Sequence, residues 1–114
     1  PIQLSLTYPK KYPGSMPYFD FAKHQNLQFM NPNFDQFLCL KLAYLAQKQG
    51  GSYPCFLNAA NEVLVERFLN QKSNWIDISK KLEKLFEKHS KVTVTSIDHV
   101  LEIDRQARME AKQI

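Results

Sequence analysis

Hydrophobic residues beyond position 31 recur at spacings of three and four, the pattern of helices that bury one face. The pattern predicts a first helix over residues 32–49. Asn31 is its expected N-cap and Pro32 its first residue, and Gly50-Gly51 should end it, because glycine readily adopts the left-handed conformation found after helices. The apolar stripe of this helix comprises Phe34, Phe37, Leu38, Leu42, Leu45 and Ala46.

Three more amphipathic segments follow, with a short extended stretch before the last of them. Helices are predicted from Pro54 or Asn58 to Asn70, from Asp77 to His89, and from Thr95 or Ser96 towards the C-terminus, and the extended stretch is Val92-Thr93-Val94. Asp77 is the expected cap of the helix that ends at His89. The apolar stripe of that helix is Ile78, Leu82, Leu85 and Phe86, and the stripe of the last helix is Ile97, Val100, Leu101, Ala107 and Ala111. Amphipathic helices with short connections bury their stripes best against one another. The pattern therefore predicts a mainly α fold, a small bundle of three to four helices over residues 32–114.

The N-terminal stretch differs from the bundle, because the first 33 residues contain five of the six prolines. Proline blocks helix continuation, yet the stretch carries more aromatic and aliphatic side chains than a disordered linker would. We predict that residues 1–31 form an ordered, extended connecting segment laid across an apolar surface. Residues 1–8 fit either a strand, from their alternation, or a short helix, from the leading proline.

Composition narrows the class of protein further. The chain has 114 residues, one domain's worth, and a modest net charge of +4. It has no apolar run near the ~18–20 residues that span a bilayer, and no signal-peptide pattern. A start at Pro1 without an initiator Met suggests a processed or cut chain. Cys39 and Cys55 lie among apolar residues and are predicted to be buried thiols rather than a disulfide, so we expect a cytoplasmic protein.

Candidate chemical groups do not combine into a recognisable active site. The histidines are not one turn apart, the carboxylates of the last helix alternate with basic residues as on a solvated face, and no glycine-rich phosphate loop is present. Asp104 and Arg108, one turn apart, are expected to pair. We predict no catalytic, cofactor-binding or metal-binding residue in this chain. The groups considered are His24, His89, His99, Asp98, Glu102 and Asp104.

Lysines four, four and three residues apart form a basic ridge on the third predicted helix, namely Lys80, Lys84, Lys88 and Lys91. Such a ridge could follow a phosphate backbone. Glu83 and Glu87 flank it, however, and no exposed aromatic residues interleave with it for base stacking. We therefore expect no nucleic-acid partner, and no membrane partner either.

The segment Leu57–Val63, with sequence LNAANEV, is the most distinctive motif. One interpretation is structural: Asn58 caps the second helix, Glu62 lies in its first turn, and Asn61 satisfies the backbone of a neighbouring loop. The alternative is that Asn58 and Asn61, three residues apart on one helix face, hold a ligand. We favour the structural interpretation.

This motif, together with Gly50-Gly51 and Pro54 before it, resembles the C-terminal region of the 1-deoxy-D-xylulose 5-phosphate reductoisomerase family. One departure is Leu38, where the family often has proline, and it would let the first helix start a turn earlier. Further similarities follow in the family's order, at Pro1-Ile2-Gln3, Tyr8-Pro9, Phe19-Asp20-Phe21, Leu27-Gln28-Phe29, Pro32, Leu40-Lys41-Leu42-Ala43, Asp104 and Ala107-Arg108.

The resemblance implies an oxidoreductase and isomerase of non-mevalonate isoprenoid (terpenoid) biosynthesis, which uses NADPH and Mg²⁺ or Mn²⁺ and is a homodimer. In that family the cofactor, metal and substrate sites precede the region matched by this chain. The resemblance thus implies a C-terminal structural domain, inactive by itself, whose partners are the missing N-terminal NADPH-binding and catalytic domains of the same enzyme. The alternative is an independent helical protein-interaction module.

Overall fold

The computed structural model describes residues 2–114. The chain divides into two compact units, one up to Asn31 and one over Pro32–Ile114. Within the described residues all regular structure is helical, which confirms the predicted mainly α class. None of these helices is long and apolar enough to cross a bilayer. The helices are α1 Ile2–Thr7, α2 Leu38–Gln49, α3 Tyr53–Leu69, α4 Trp75–Lys88 and α5 Ile97–Gln113.

Helix α3 is the centre of the second unit, because it packs against α2, α4 and α5. Helices α2 and α5 do not contact each other, so they lie against different faces of α3. The predicted stripe of α4 is confirmed, since Ile78, Leu82, Leu85 and Phe86 are all buried. Burying side chains of this size stabilises the fold by about 1.5–3 kcal/mol each relative to leaving them exposed.

The first helix of the bundle begins six residues later than predicted, at Leu38 rather than Pro32. The side chain of Asn33 explains the delay, because its Oδ1 accepts hydrogen bonds from the backbone N–H groups of Asp35 (3.1 Å) and Gln36 (3.0 Å). An Asn side chain that bonds the backbone in this way competes with a helix and favours a turn. Leu38, which stands where the family often has proline, does not make the helix start earlier, because α2 begins at Leu38 itself.

The ends of the other helices follow local capping chemistry. Helix α4 starts two residues before Asp77, whose carboxylate accepts a hydrogen bond from the backbone N–H of Asn74 at 2.9 Å. Asp77 is therefore the third residue of the helix rather than its cap. Of the two predicted starts of α5, Thr95 and Ser96, it is Ser96 that caps the helix, since its Oγ accepts from the backbone N–H of His99 at 3.1 Å. The predicted extended stretch Val92–Val94 belongs to neither a helix nor a strand.

The turn between α2 and α3 is held against the connection between α4 and α5. Gly50 and Gly51 both have positive φ, 65° and 57°, and end α2 as predicted. The backbone N–H of Ser52 donates to the carbonyl of Val92 at 2.9 Å, and the Ser52 hydroxyl oxygen accepts from the backbone N–H of Val92 at 2.9 Å. These two bonds join segments 40 residues apart in the sequence.

In the first unit, the initial residues form a helix, α1, rather than a strand. The Gln3 side-chain amide donates to the carbonyl of Pro13 at 3.2 Å, and the Thr7 hydroxyl donates to that of Lys10 at 2.8 Å. Further along, Phe19 makes an edge contact with Phe21, with ring centroids 4.8 Å apart. Apart from α1, the described part of this unit has no helix or strand.

Candidate functional site

Asn58 and Asn61 lie inside α3, five and eight residues after its first residue, so the prediction that Asn58 caps this helix is wrong. Pro54 fits the first turn of α3, where no intrahelical N–H bond is needed, and the helix can therefore begin at Tyr53. The Asn58 side-chain amide instead donates to the Glu62 carboxylate at 3.0 Å. Glu62 accordingly lies in the middle of α3 rather than in its first turn.

Glu62 belongs to a cluster that links α3 to α5. The Arg108 guanidinium donates to the Glu62 carboxylate across the two helices and, at 2.8 Å, to the Asp104 carboxylate. The Asp104–Arg108 pair is thereby confirmed. Hydrogen bonds from Arg108 and then Asn58 lower the pKa of Glu62, and the two carboxylates raise the pKa of Arg108. Both carboxylates bind Arg108. The cluster therefore holds α3 against α5 and leaves no carboxylate free for proton transfer.

Asn61 differs from Asn58, because its side chain makes no hydrogen bond within the described residues and it is half-buried. The proposed role of Asn61 in satisfying a loop backbone is therefore wrong. Its side chain lines two adjoining grooves, of about 460 and 400 Å³, that run beside α2. Cys39 is the other residue that lines both grooves.

The first groove lies between α2 and α3, with Leu82 of α4 at its base. Its polar border consists of the amide side chains of Gln47, Asn58 and Asn61. The second groove continues past Cys39 towards Trp75 at the start of α4. No charged side chain lines either groove, and burial raises the pKa of the Cys39 thiol beside them. The arrangement can take up apolar groups and pair with amides, but it supplies no ionised acid or base for catalysis.

The two cysteines are free thiols. The prediction that both are buried is wrong, since Cys39 is exposed and Cys55 is half-buried. The Cys55 thiol donates to the carbonyl of Val100 at 3.5 Å, and its pKa is raised, first by burial and then by the nearby Asp104 carboxylate. Cys39 lies on the same face of α2 as Leu42 and Ala46, but one turn nearer the start of the helix, where both grooves open beside it.

The three histidines lie in separate environments. His24 stacks on Phe19 in the first unit, with ring centroids 4.9 Å apart, and His99 lies at the start of α5. His89, just after α4, stacks on Phe56 at 3.9 Å and hydrogen-bonds through Nε2 to Ser52 Oγ at 2.8 Å. No group of three or more His, Cys, Asp or Glu residues in positions 2–114 is placed to hold a metal ion.

The predicted basic ridge is present as an exposed row of lysines along α4 and just beyond it. Its members are Lys80, Lys84, Lys88 and Lys91. The acidic residues Asp98 and Glu102 are also exposed, and Glu102 pairs with Arg105 on the surface of α5. Exposed pairs of this kind contribute little to stability, typically about 0–1 kcal/mol. Both surfaces have the character of solvated helix faces.

Comparisons with known proteins match this chain along almost its whole length. The family model described as DXP reductoisomerase C-terminal domain matches residues 1–110. The 1-deoxy-D-xylulose 5-phosphate reductoisomerase of Protochlamydia amoebophila (strain UWE25) is 51% identical over 111 residues, which are 97% of this chain and 29% of that protein. The enzyme of the same name from Chloroherpeton thalassium is 42% identical over 108 residues, 95% of this chain and 28% of that protein.

A solved structure has the same fold. The 1-deoxy-D-xylulose 5-phosphate reductoisomerase from Zymomonas mobilis in complex with NADPH superposes with a TM-score of 0.82 at 35% identity. The similarity covers 98% of this chain and 30% of that one. This chain therefore spans less than a third of the length of the curated relatives it matches.

Proposed function

Since this chain belongs to the family of DXP reductoisomerase C-terminal domains, we propose that it is the C-terminal helical domain of an enzyme that converts 1-deoxy-D-xylulose 5-phosphate to 2-C-methyl-D-erythritol 4-phosphate. The observation that carries the proposal is the match over residues 1–110, with 51% identity to a reductoisomerase over 97% of the chain. The enzyme would act in non-mevalonate isoprenoid synthesis, in the cytoplasm, and as a homodimer.

The proposed reaction rearranges the substrate to an aldehyde and reduces that aldehyde with NADPH. A divalent metal, Mg²⁺ or Mn²⁺, would polarise the substrate carbonyl when bound. The residues described here do not fit such a site, because they offer no cluster of ligands for a metal ion. We therefore assign no step of the reaction to this chain and place the NADPH, metal and substrate sites in the N-terminal domains of the same polypeptide.

The role that remains for this chain is structural. Exposed aromatic residues in the first unit favour its docking onto the catalytic domain. We propose that residues 1–31 are the connecting segment from the catalytic domain, and that aromatic anchors in it pack on that domain. These anchors are Tyr18, Phe19, Phe21 and Phe29, with exposed fractions of 90, 55, 73 and 89%. Burial of these aromatic side chains at an interface would be favourable, because it would remove a large apolar surface from water.

The docking proposal is tested by limited proteolysis of the isolated chain and of the full-length enzyme, with cleavage sites in residues 8–31 mapped by mass spectrometry. The segment should be cut readily in the isolated chain and protected in the enzyme. Equal protection in both would count against docking onto the catalytic domain.

The reaction itself is tested on the full-length protein that contains this chain. Purified with Mg²⁺ or Mn²⁺, it should oxidise NADPH only when 1-deoxy-D-xylulose 5-phosphate is added, and the product should have the mass and NMR spectrum of 2-C-methyl-D-erythritol 4-phosphate. NADPH oxidation without that substrate, or a different product, would contradict the proposed function.

A further inference from the structure

We draw no further inference here: the strongest candidate, the pair of uncharged grooves that Cys39 and Asn61 line beside α2, carries nothing because no feature of the structure shows what covers that face.

Discussion

At the scale of single residues, Ser52 is the one fully buried polar residue among positions 2–114, and its hydrogen bonds depend on a neutral His89. The Ser52 oxygen accepts from the backbone N–H of Val92, and its hydroxyl can donate to His89 Nε2 at 2.8 Å. If His89 were protonated, its Nε2–H would donate to the Ser52 oxygen, and the hydroxyl proton would then have lost its acceptor in a buried site. Burial accordingly lowers the pKa of His89, against a smaller opposing effect of Glu110 on α5.

This arrangement predicts a pH-dependent stability. Because the pKa of His89 is lower in the folded state than its ordinary 6.5, the unfolded chain binds the proton more readily. The stabilisation is present above pH 6.5 and is lost as the pH falls through that value towards the folded-state pKa. Urea unfolding at pH 7.5 and 5.5 measures the loss. In His89→Gln this part of the pH dependence should disappear, and an unchanged dependence would contradict the argument.

The two glycines after α2 both have positive φ, and Ala should destabilise the fold at each for a different reason. Gly50 has φ 65° and ψ −157°, which essentially only glycine adopts, so Gly50→Ala should cost about 1–3 kcal/mol in backbone strain although nothing lies within 4 Å of an added Cβ. At Gly51 an added Cβ would lie 2.7 Å from the Val92 carbonyl oxygen. Gly51→Ala should therefore lower the free energy of urea unfolding by more than the about 1–2 kcal/mol expected from a left-handed residue alone. A loss within that range would show that the close approach to Val92 is unimportant.

At the scale of elements, the spacing of apolar residues predicted a helix wherever an apolar stripe faces the core. The predicted helix starts were wrong where a side chain forms hydrogen bonds to the backbone that replace those of a helix. The three-and-four spacing identified all four bundle helices, including the fully buried stripe of α4. The start of α2 was wrong, because Asn33 diverts the chain into a turn, and the start of α3 was placed correctly only in the alternative at Pro54. Ile97 in the predicted stripe of α5 is 80% exposed, and Ile103, which the stripe omitted, is buried instead.

The C-terminal end of α5 is held by a cation from another helix. The Arg67 guanidinium on α3 donates to the carbonyls of Ala111 at 3.1 Å and Ile114 at 2.8 Å. Carbonyls at a helix end lack intrahelical partners, and a positive charge there also favours the helix dipole. The contact stabilises the fold and has no catalytic role, and no pattern of residues in the sequence indicates it.

Arg67→Met should therefore destabilise the chain by about 1 kcal/mol, because it removes the hydrogen bonds and keeps most of the apolar stem. Arg105→Ala on α5 is the control, and its loss should stay below about 0.5 kcal/mol, since that exposed pair is solvated. Urea unfolding gives both values, and hydrogen exchange at residues 108–113 should rise only in Arg67→Met. A larger effect of Arg105→Ala would contradict this account of the helix end.

At the scale of the whole molecule, the sequence singled out the motif that contains Asn58 and Asn61 but not the groove beside it. The groove depends on how α2 packs on α3 and on which side of α2 is left open, and neither follows from the spacing of apolar residues. The same limit applies to the first unit, whose exposed aromatic residues are visible in the sequence while their binding surface is not. The family comparison supplies the wider context, because this chain spans less than a third of its relatives.

The central claim is that this domain supports a reductoisomerase whose reactive groups lie elsewhere in the polypeptide. The most direct measurement is NADPH oxidation by the purified 114-residue chain with 1-deoxy-D-xylulose 5-phosphate and Mg²⁺ or Mn²⁺, beside the full-length enzyme at equal molar concentration. We expect substrate-dependent oxidation by the full-length enzyme and none by the isolated chain. Turnover by the isolated chain would contradict the claim.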